Sequence, residues 1–155
     1  IPIDSVIISI EESPIIPGVS QGDGPIIRTG DALTTFDSAA EIILYEAAKN
    51  LQKEDKSFVF QRHLMSGGGC EATAFAQEGY KVTGIALPLA NWHNATSDLR
   101  DSKGDIGAEQ ISKFDYLNAI KLIKRASTIQ NHEKIEINSK LPDVSPQIIK
   151  RLANQ

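Results

Sequence analysis

Cysteine is nearly absent from this 155-residue chain. Cys70 stands alone, which excludes an intramolecular disulfide and any zinc cluster built on cysteine. Long apolar runs are missing too, and none approaches the roughly 20 residues of a membrane span. There is no long basic run, and the formal net charge is −4. Nucleic acid is therefore not an expected partner. Internal repeats and low-complexity segments are lacking as well. The start, Ile1-Pro2-Ile3, has neither a methionine nor a signal-peptide pattern. It reads as a trimmed chain or, preferably, as a piece of something longer. What remains is ordinary for a globular domain, with 41% hydrophobic and 23% charged residues. The length suffices for one domain with a real core.

Two apolar runs are firm buried strands: Val6 to Ile10 (VIISI) and Val82 to Leu87. Two shorter ones are expected at Pro25–Arg28, suited to an edge because proline opens it, and at Phe58–Arg62. Residues 14–24 hold two prolines and three glycines and read as a loop. Ser38-Ala39-Ala40-Glu41 has the form of a capping box. Behind it Ala40, Ile43, Leu44, Ala47, Ala48 and Leu51 mark one face of a helix of about four turns. A second helix is expected from Glu109 to Ser127, with Ile111, Phe114, Leu117, Ile120 and Ile123 inward. Asp98–Gly107 is polar and turn-rich. After Asn131 the signal weakens, although Ser145-Pro146 could open a final short helix. Strands alternating with helices indicate an α/β domain, with a largely parallel or mixed sheet flanked by helices. Residues 1–130 form the domain, and 131–155 a weakly structured tail or short terminal helix.

The stretch Phe58–Asp98 carries most of the chemistry. Ser66-Gly67-Gly68-Gly69 lies between a strand and a short helix from Cys70 to Gln77. Three glycines let a ligand approach the backbone closely, and a following helix N-terminus favours a carboxylate or oxyanion. A plain strand-to-helix turn accounts for the same residues. No Lys-Ser/Thr follows, so this is not a Walker-type loop. Cys70 at that helix start could be a nucleophile with His63 or His93 as base, or simply a small buried hydrophobe. His93, among Asn91, Trp92 and Asn94, follows a strand and is the best metal-ligand candidate, unless it is an ordinary surface histidine. Glu11 ends the first strand, with Glu12 as fallback. In an open parallel sheet the loops after strand carboxyl ends share one edge. Glu11, His93 and the glycine loop are therefore expected around one crevice, with Glu11 and His93 within roughly 10 Å. Two ligands do not complete a zinc site.

At these residues the chain resembles a known group. Gly24-Pro25-Ile26-Ile27-Arg28 with Asp31, Met65-Ser66-Gly67-Gly68-Gly69-Cys70-Glu71-Ala72, Gly84-Ile85-Ala86-Leu87-Pro88 and Asn91-Trp92-His93-Asn94 occur in order and at suitable spacing. Together they resemble the C-terminal half of the catalytic domain of the tetrahedral (glutamyl/endoglucanase-like) aminopeptidases, over roughly residues 4 to 130. The resemblance implies a partial zinc-exopeptidase-like domain and a parent that removes N-terminal residues from small peptides through two divalent ions, zinc or cobalt. It implies Glu11 on one metal, His93 on the other, and Gly67, Gly68 and Gly69 beside the substrate. It also implies a cytoplasmic homo-oligomer when full length. Cys70-Glu71 stands where the family often has Thr-Asp, and Asn91-Trp92-His93-Asn94 departs from the commoner Arg-Tyr-x-His-Ser form, as in a divergent branch. The family's first metal histidine, bridging aspartate and Glu-Glu catalytic pair have no counterpart in these residues. No catalytic base is therefore expected in this chain, nor activity or bound metal when it is isolated. Two alternatives stay open: a non-catalytic binding or regulatory fragment of the same fold, and a cysteine hydrolase using Cys70.

Overall fold

The β-branched run that opens the chain extends further than the sequence suggests. In a computed structural model, described for residues 1–97, 104–129, 145–147 and 150, strand β1 spans Val6–Pro14. Its neighbour β4 (Lys81–Ala90) is the longest strand, and eight of its ten residues are buried. The other elements are β2 (Ile26–Gly30), α1 (Ser38–Glu54), β3 (Gln61–Leu64), α2 (Glu71–Gln77), β5 (Gln110–Ile111) and α3 (Lys113–Ala126), with a 3₁₀ turn at Trp92–Asn94. The strand order is β1-β4-β2-β3, and β5 pairs with the end of β4.

The sheet is mixed, and this corrects the shared-edge expectation. β1 runs parallel to β4, and β2 parallel to β3, but β2 is antiparallel to β4. The carboxyl ends of β1 and β4 thus lie at one edge, and those of β2 and β3 at the other. The glycine loop after β3 returns across a face of the sheet instead. Met65 packs with Ile26 and Ala86, and a Cβ on Gly67 would come 2.7 Å from Pro14 Cγ at the end of β1.

Strand alternation divides the core between two faces. Ile27, Ile85 and Leu87 meet Ile43, Leu44 and Ala47 of α1 and Ala119, Leu122 and Ala126 of α3. The opposite face sends Val82 against Phe36 and Ala72, with Phe75 and Cys70 beside them. Each fully buried aliphatic side chain contributes roughly 1.5–3 kcal/mol, so this double-faced burial makes β4 the spine of the domain. Helix α1 is capped one residue before the expected box: Asp37 Oδ1 accepts the N–H of Ala40 at 2.8 Å. The third strand starts later than Phe58, because Phe58 is itself a core plug, 1% exposed.

Helix α3 departs from its apolar pattern. Phe114 and Leu117 are 42% and 47% exposed, while Asp115 and Asn118 are buried. Asp115 is the cause. Its two carboxylate oxygens accept the N–H groups of Gly22 and Gly24, each at 2.8 Å. This rotates the helix so that an acid faces inward and holds the 14–24 loop. Gly24 has φ +87°, and a Cβ there would lie 2.0 Å from Val59 O, so only glycine fits. The Asp98–Gly107 turn and the segment beyond residue 129 lie largely outside the described residues, although Pro146, Gln147 and Lys150 are helical. Asp115→Ala leaves the buried Gly24 N–H unpaired and frees the part-buried Gly22 N–H, and should destabilise by about 2 kcal/mol. Asp115→Asn, keeping one acceptor, should recover part of that. Urea unfolding of the two variants checks both.

Candidate functional site

The glycine loop, α2 and β1 enclose a cleft of about 430 Å³ on the α2 side of the sheet, lined by Glu11, Leu33, Gly69, Cys70, Glu71, Thr73, Ala74 and Gln77. Glu11 reaches it from β1, where it pairs with Ala86 of β4. Successive strand side chains alternate faces, and Glu12 is exposed. Glu11 is not alone at the cleft floor. It forms an ion pair with Arg28, which is 2% exposed. Arg28 stands on β2 opposite Gly84 of β4, and its side chain crosses that glycine to reach β1. A Cβ at Gly84 would come 3.3 Å from Arg28 Cδ. The guanidinium also lies 5.7 Å from the centre of the Phe36 ring.

Asp31 shapes the other wall. It is 3% exposed. Its Oδ1 accepts the N–H groups of Leu33 and Thr34 at 2.8 and 2.9 Å. Its Oδ2 accepts the Cys70 N–H at 3.0 Å and the Thr73 hydroxyl. Burial pushes this carboxyl up, but the hydrogen bonds from Thr73, Leu33, Thr34 and Cys70 outweigh it and bring it to about 2. Asp31 thus ties the turn after β2 to the start of α2, so Leu33 and Cys70 face one another across a fixed gap.

The predicted site residues separate into two groups. Glu11, Gly69 and Cys70 come together, and Gly67 and Gly68 lead into the cleft. His93 does not line it. His93 sits in the turn after β4 with φ +56°, between Asn91 and Asn94, which are also left-handed at +55° and +60°. Bonds to the 107–109 segment hold this turn: His93 N–H to Glu109 Oε1 at 2.9 Å, Asn91 Nδ2 to Ala108 O at 2.8 Å and Asn94 Nδ2 to Gly107 O at 3.3 Å. Its ring lies 4.0 Å from that of Trp92. By register Glu11 is level with Ala86 of the parallel neighbour β4, and His93 follows the carboxyl end of that same strand. His63 borders a separate hollow with Thr29, Arg62 and Leu64. Among the described residues, no imidazole lines the cleft beside Cys70.

Among the described residues, no three His, Cys, Asp or Glu side chains converge as a metal-holding group. Glu11 already has Arg28 as its charge partner. The donors among the described residues do not fit a complete zinc or cobalt site, which needs at least three protein ligands. Sequence reasoning overlooked Arg28 and Asp31 as site builders. The available signal was a lone arginine following Ile26-Ile27: a charge inside an apolar strand must find a partner.

The fold places the chain among α/β domains similar to the peptidase domain of the TET aminopeptidases. The TET1 peptidase of Pyrococcus horikoshii, which can assemble into a tetrahedron or a large octahedral shell, superposes with TM-score 0.61 at 20% identity. That match covers 81% of this chain and 33% of the other. The TET aminopeptidase of a marine-sediment Thaumarchaeota archaeon gives 0.55 at 21% identity, over 80% and 32%. An aminopeptidase from the archaeon Desulfurococcus kamchatkensis gives 0.55 at 19% identity, over 82% and 37%. The chain thus spans about a third of the length of these structures. No family model and no curated protein matches the sequence.

The Asp31 carboxyl lies below its ordinary 3.8, so its contribution is present above pH ~4 and is lost as pH falls toward 2. That contribution is about 2 kcal/mol. Asp31→Asn should lower stability at pH 7 and flatten this acid limb. Denaturation midpoints measured from pH 2 to 7 compare the two proteins.

Proposed function

We propose that this chain is the C-terminal part of the catalytic domain of a metal-dependent aminopeptidase, whose parent removes N-terminal residues from small peptides. One observation carries the reading: about four fifths of the chain superposes on TET aminopeptidases, with a cleft at the glycine loop. Gly67–Gly69 offers backbone to the peptide main chain. The carboxylates of Glu11 and Glu71, which line the cleft, suit the cationic end of a peptide. In the parent, Glu11 and His93 are this chain's contribution to two divalent ions, zinc or cobalt, which would activate water for attack on the peptide carbonyl. The remaining ligands and the general base come from elsewhere in the parent, a cytoplasmic homo-oligomer. Residues 1–130 belong to the catalytic domain and 131–155 form a tail.

A second reading, a binding or regulatory fragment without turnover, is favoured by the Glu11–Arg28 pair, which already neutralises the proposed ligand. Both readings expect the isolated chain to hydrolyse aminoacyl p-nitroanilides no faster than buffer, with zinc or cobalt added. Metal-dependent turnover by this chain alone would overturn both. Metal analysis of a parent carrying His93→Ala separates them: the catalytic reading expects one ion and most activity to be lost while circular dichroism stays unchanged. A parent that, before any substitution, holds no metal and shows no turnover supports the fragment reading. Cys70→Ser in an active parent should change the rate by less than about tenfold, since a metal-bound water is the nucleophile. A loss of several orders of magnitude at constant metal content would instead favour a thiol nucleophile.

A further inference from the structure

The turn after β4 runs against the ordinary preferences of its backbone. Asn91, His93 and Asn94 all lie in the left-handed region. Residues other than glycine seldom occupy it, and it persists only where the surroundings over-determine it. Here the surroundings are the returning segment. Ala90 pairs with Gln110 and Ala95 with Ile106, so four residues, 91–94, stand opposite three, 107–109. One residue is in excess, the arrangement by which a β-bulge re-aims a side chain. The asparagines anchor themselves, Asn91 Nδ2 on Ala108 O and Asn94 Nδ2 on Gly107 O. Gly107 leaves room for the first, because a Cβ there would lie 2.9 Å from Asn91 Nδ2. His93 has no such bond from its side chain. Its imidazole is exposed, and among the described residues neither ring nitrogen has a hydrogen-bond partner. Its backbone N–H donates instead to Glu109 Oε1 at 2.9 Å.

We propose that Glu109 is a positioning residue for His93. Through that one N–H its carboxylate holds the bulge in the conformation that presents the imidazole at the surface, beyond the carboxyl end of β4. The inference rests on the part of the reading above that gives His93 a role in the parent. The chemistry suits a carboxylate. A hydrogen bond from a backbone N–H to an ionised oxygen is roughly twice as strong as a neutral one. It also acts on the one left-handed residue of the three whose own side chain does not secure it. Glu109 is itself held in place. It adjoins Gln110, which pairs with Ala90 and whose carbonyl accepts Gln21 Nε2. Gln21 belongs to the 14–24 loop that Asp115 of α3 fixes through Gly22 and Gly24. The imidazole therefore keeps both nitrogens free while the backbone beneath it is fixed. A side chain so placed meets its ligand with little further cost in ordering.

Amide hydrogen exchange and NMR backbone couplings on this chain, together with the rates of an active parent, test this. The His93 amide should exchange slowly, and Asn91, His93 and Asn94 should show left-handed couplings. Glu109→Ala should speed that exchange at least about fivefold and abolish the left-handed signature at His93, with unchanged circular dichroism. Glu109→Gln keeps an acceptor oxygen and should restore both. In the parent, Glu109→Ala should lower kcat about tenfold or more, because a misplacement of ~1 Å can cost ~100-fold, and Glu109→Gln should regain most of it. A left-handed His93 that survives Glu109→Ala overturns the proposal. So does a fully active Glu109→Ala parent whose His93→Ala counterpart is inactive, and the role of His93 then stands. A fully active His93→Ala parent instead removes that role, and this proposal with it. If Glu109→Ala fails to fold, the unsubstituted chain decides: a slow His93 amide supports the proposal and a fast one overturns it.

Discussion

A buried charge on β2 constrains much of this domain. Arg28 lies in the middle of the sheet, and its guanidinium cannot be desolvated without an anion beside it. Glu11 supplies that anion from two strands away. The two meet across β4, which separates them and carries Gly84 where a Cβ would crowd the Arg28 side chain, 3.3 Å from its Cδ. Arg28, Gly84, Glu11 and Phe36 are therefore one unit drawn from β2, β4, β1 and the turn before α1. The pair sits at the floor of the cleft, so the sheet interior and the candidate site share a single electrostatic element. An ion pair of this kind adds little net stability against an apolar replacement, but loss of either partner leaves the other charge exposed to a dry interior.

The loops are organised by the same chemistry. Asp31 gathers four donors from the turn after β2 and from the first turn of α2. Asp115 gathers two from the glycine-rich 14–24 loop. In each case a buried carboxylate takes up backbone N–H groups that irregular chain would otherwise leave unpaired. The cleft owes its shape to the first of these, because Leu33 and Cys70 are placed by the Asp31 bonds. The cost is visible on α3, where satisfying Asp115 turns Phe114 and Leu117 toward water.

A chain spanning about a third of the structures it superposes on would be expected to show open boundaries. β1 (Val6–Pro14) is such a boundary in backbone terms, since among the described residues it pairs on one side only, with β4. The site is open in the same sense: it has a shaped cleft and a glycine loop, yet its carboxylate is committed to Arg28 and its histidine lies in another turn. Scaffold and chemistry are thus separable in this domain, as is common when one fold serves several functions.

The fold class was legible in the sequence because burial leaves a periodic trace. The run from Val82 to Leu87 is a strand covered on both faces, as its pattern indicates; VIISI is a strand too, but a half-buried one with Ile10 exposed, and the Ala40–Leu51 pattern is a helix lying on the sheet. The ordered motifs around Gly67–Gly69 and His93 were legible too, and they led to the fold that superposition then showed. Strand direction was not. Nothing in a buried apolar run records whether its neighbour is parallel, so the mixed sheet, with the carboxyl ends of β2 and β3 opposite to those of β1 and β4, emerged only in three dimensions. The partners of Arg28 and Asp115, and the Cys70 and Thr73 partners of Asp31, were hidden for a related reason: each lies across an element boundary, from 17 residues between Arg28 and Glu11 to 93 between Asp115 and Gly22. Local pattern reports how much of a segment is buried. Which charge meets which is decided by the path of the chain.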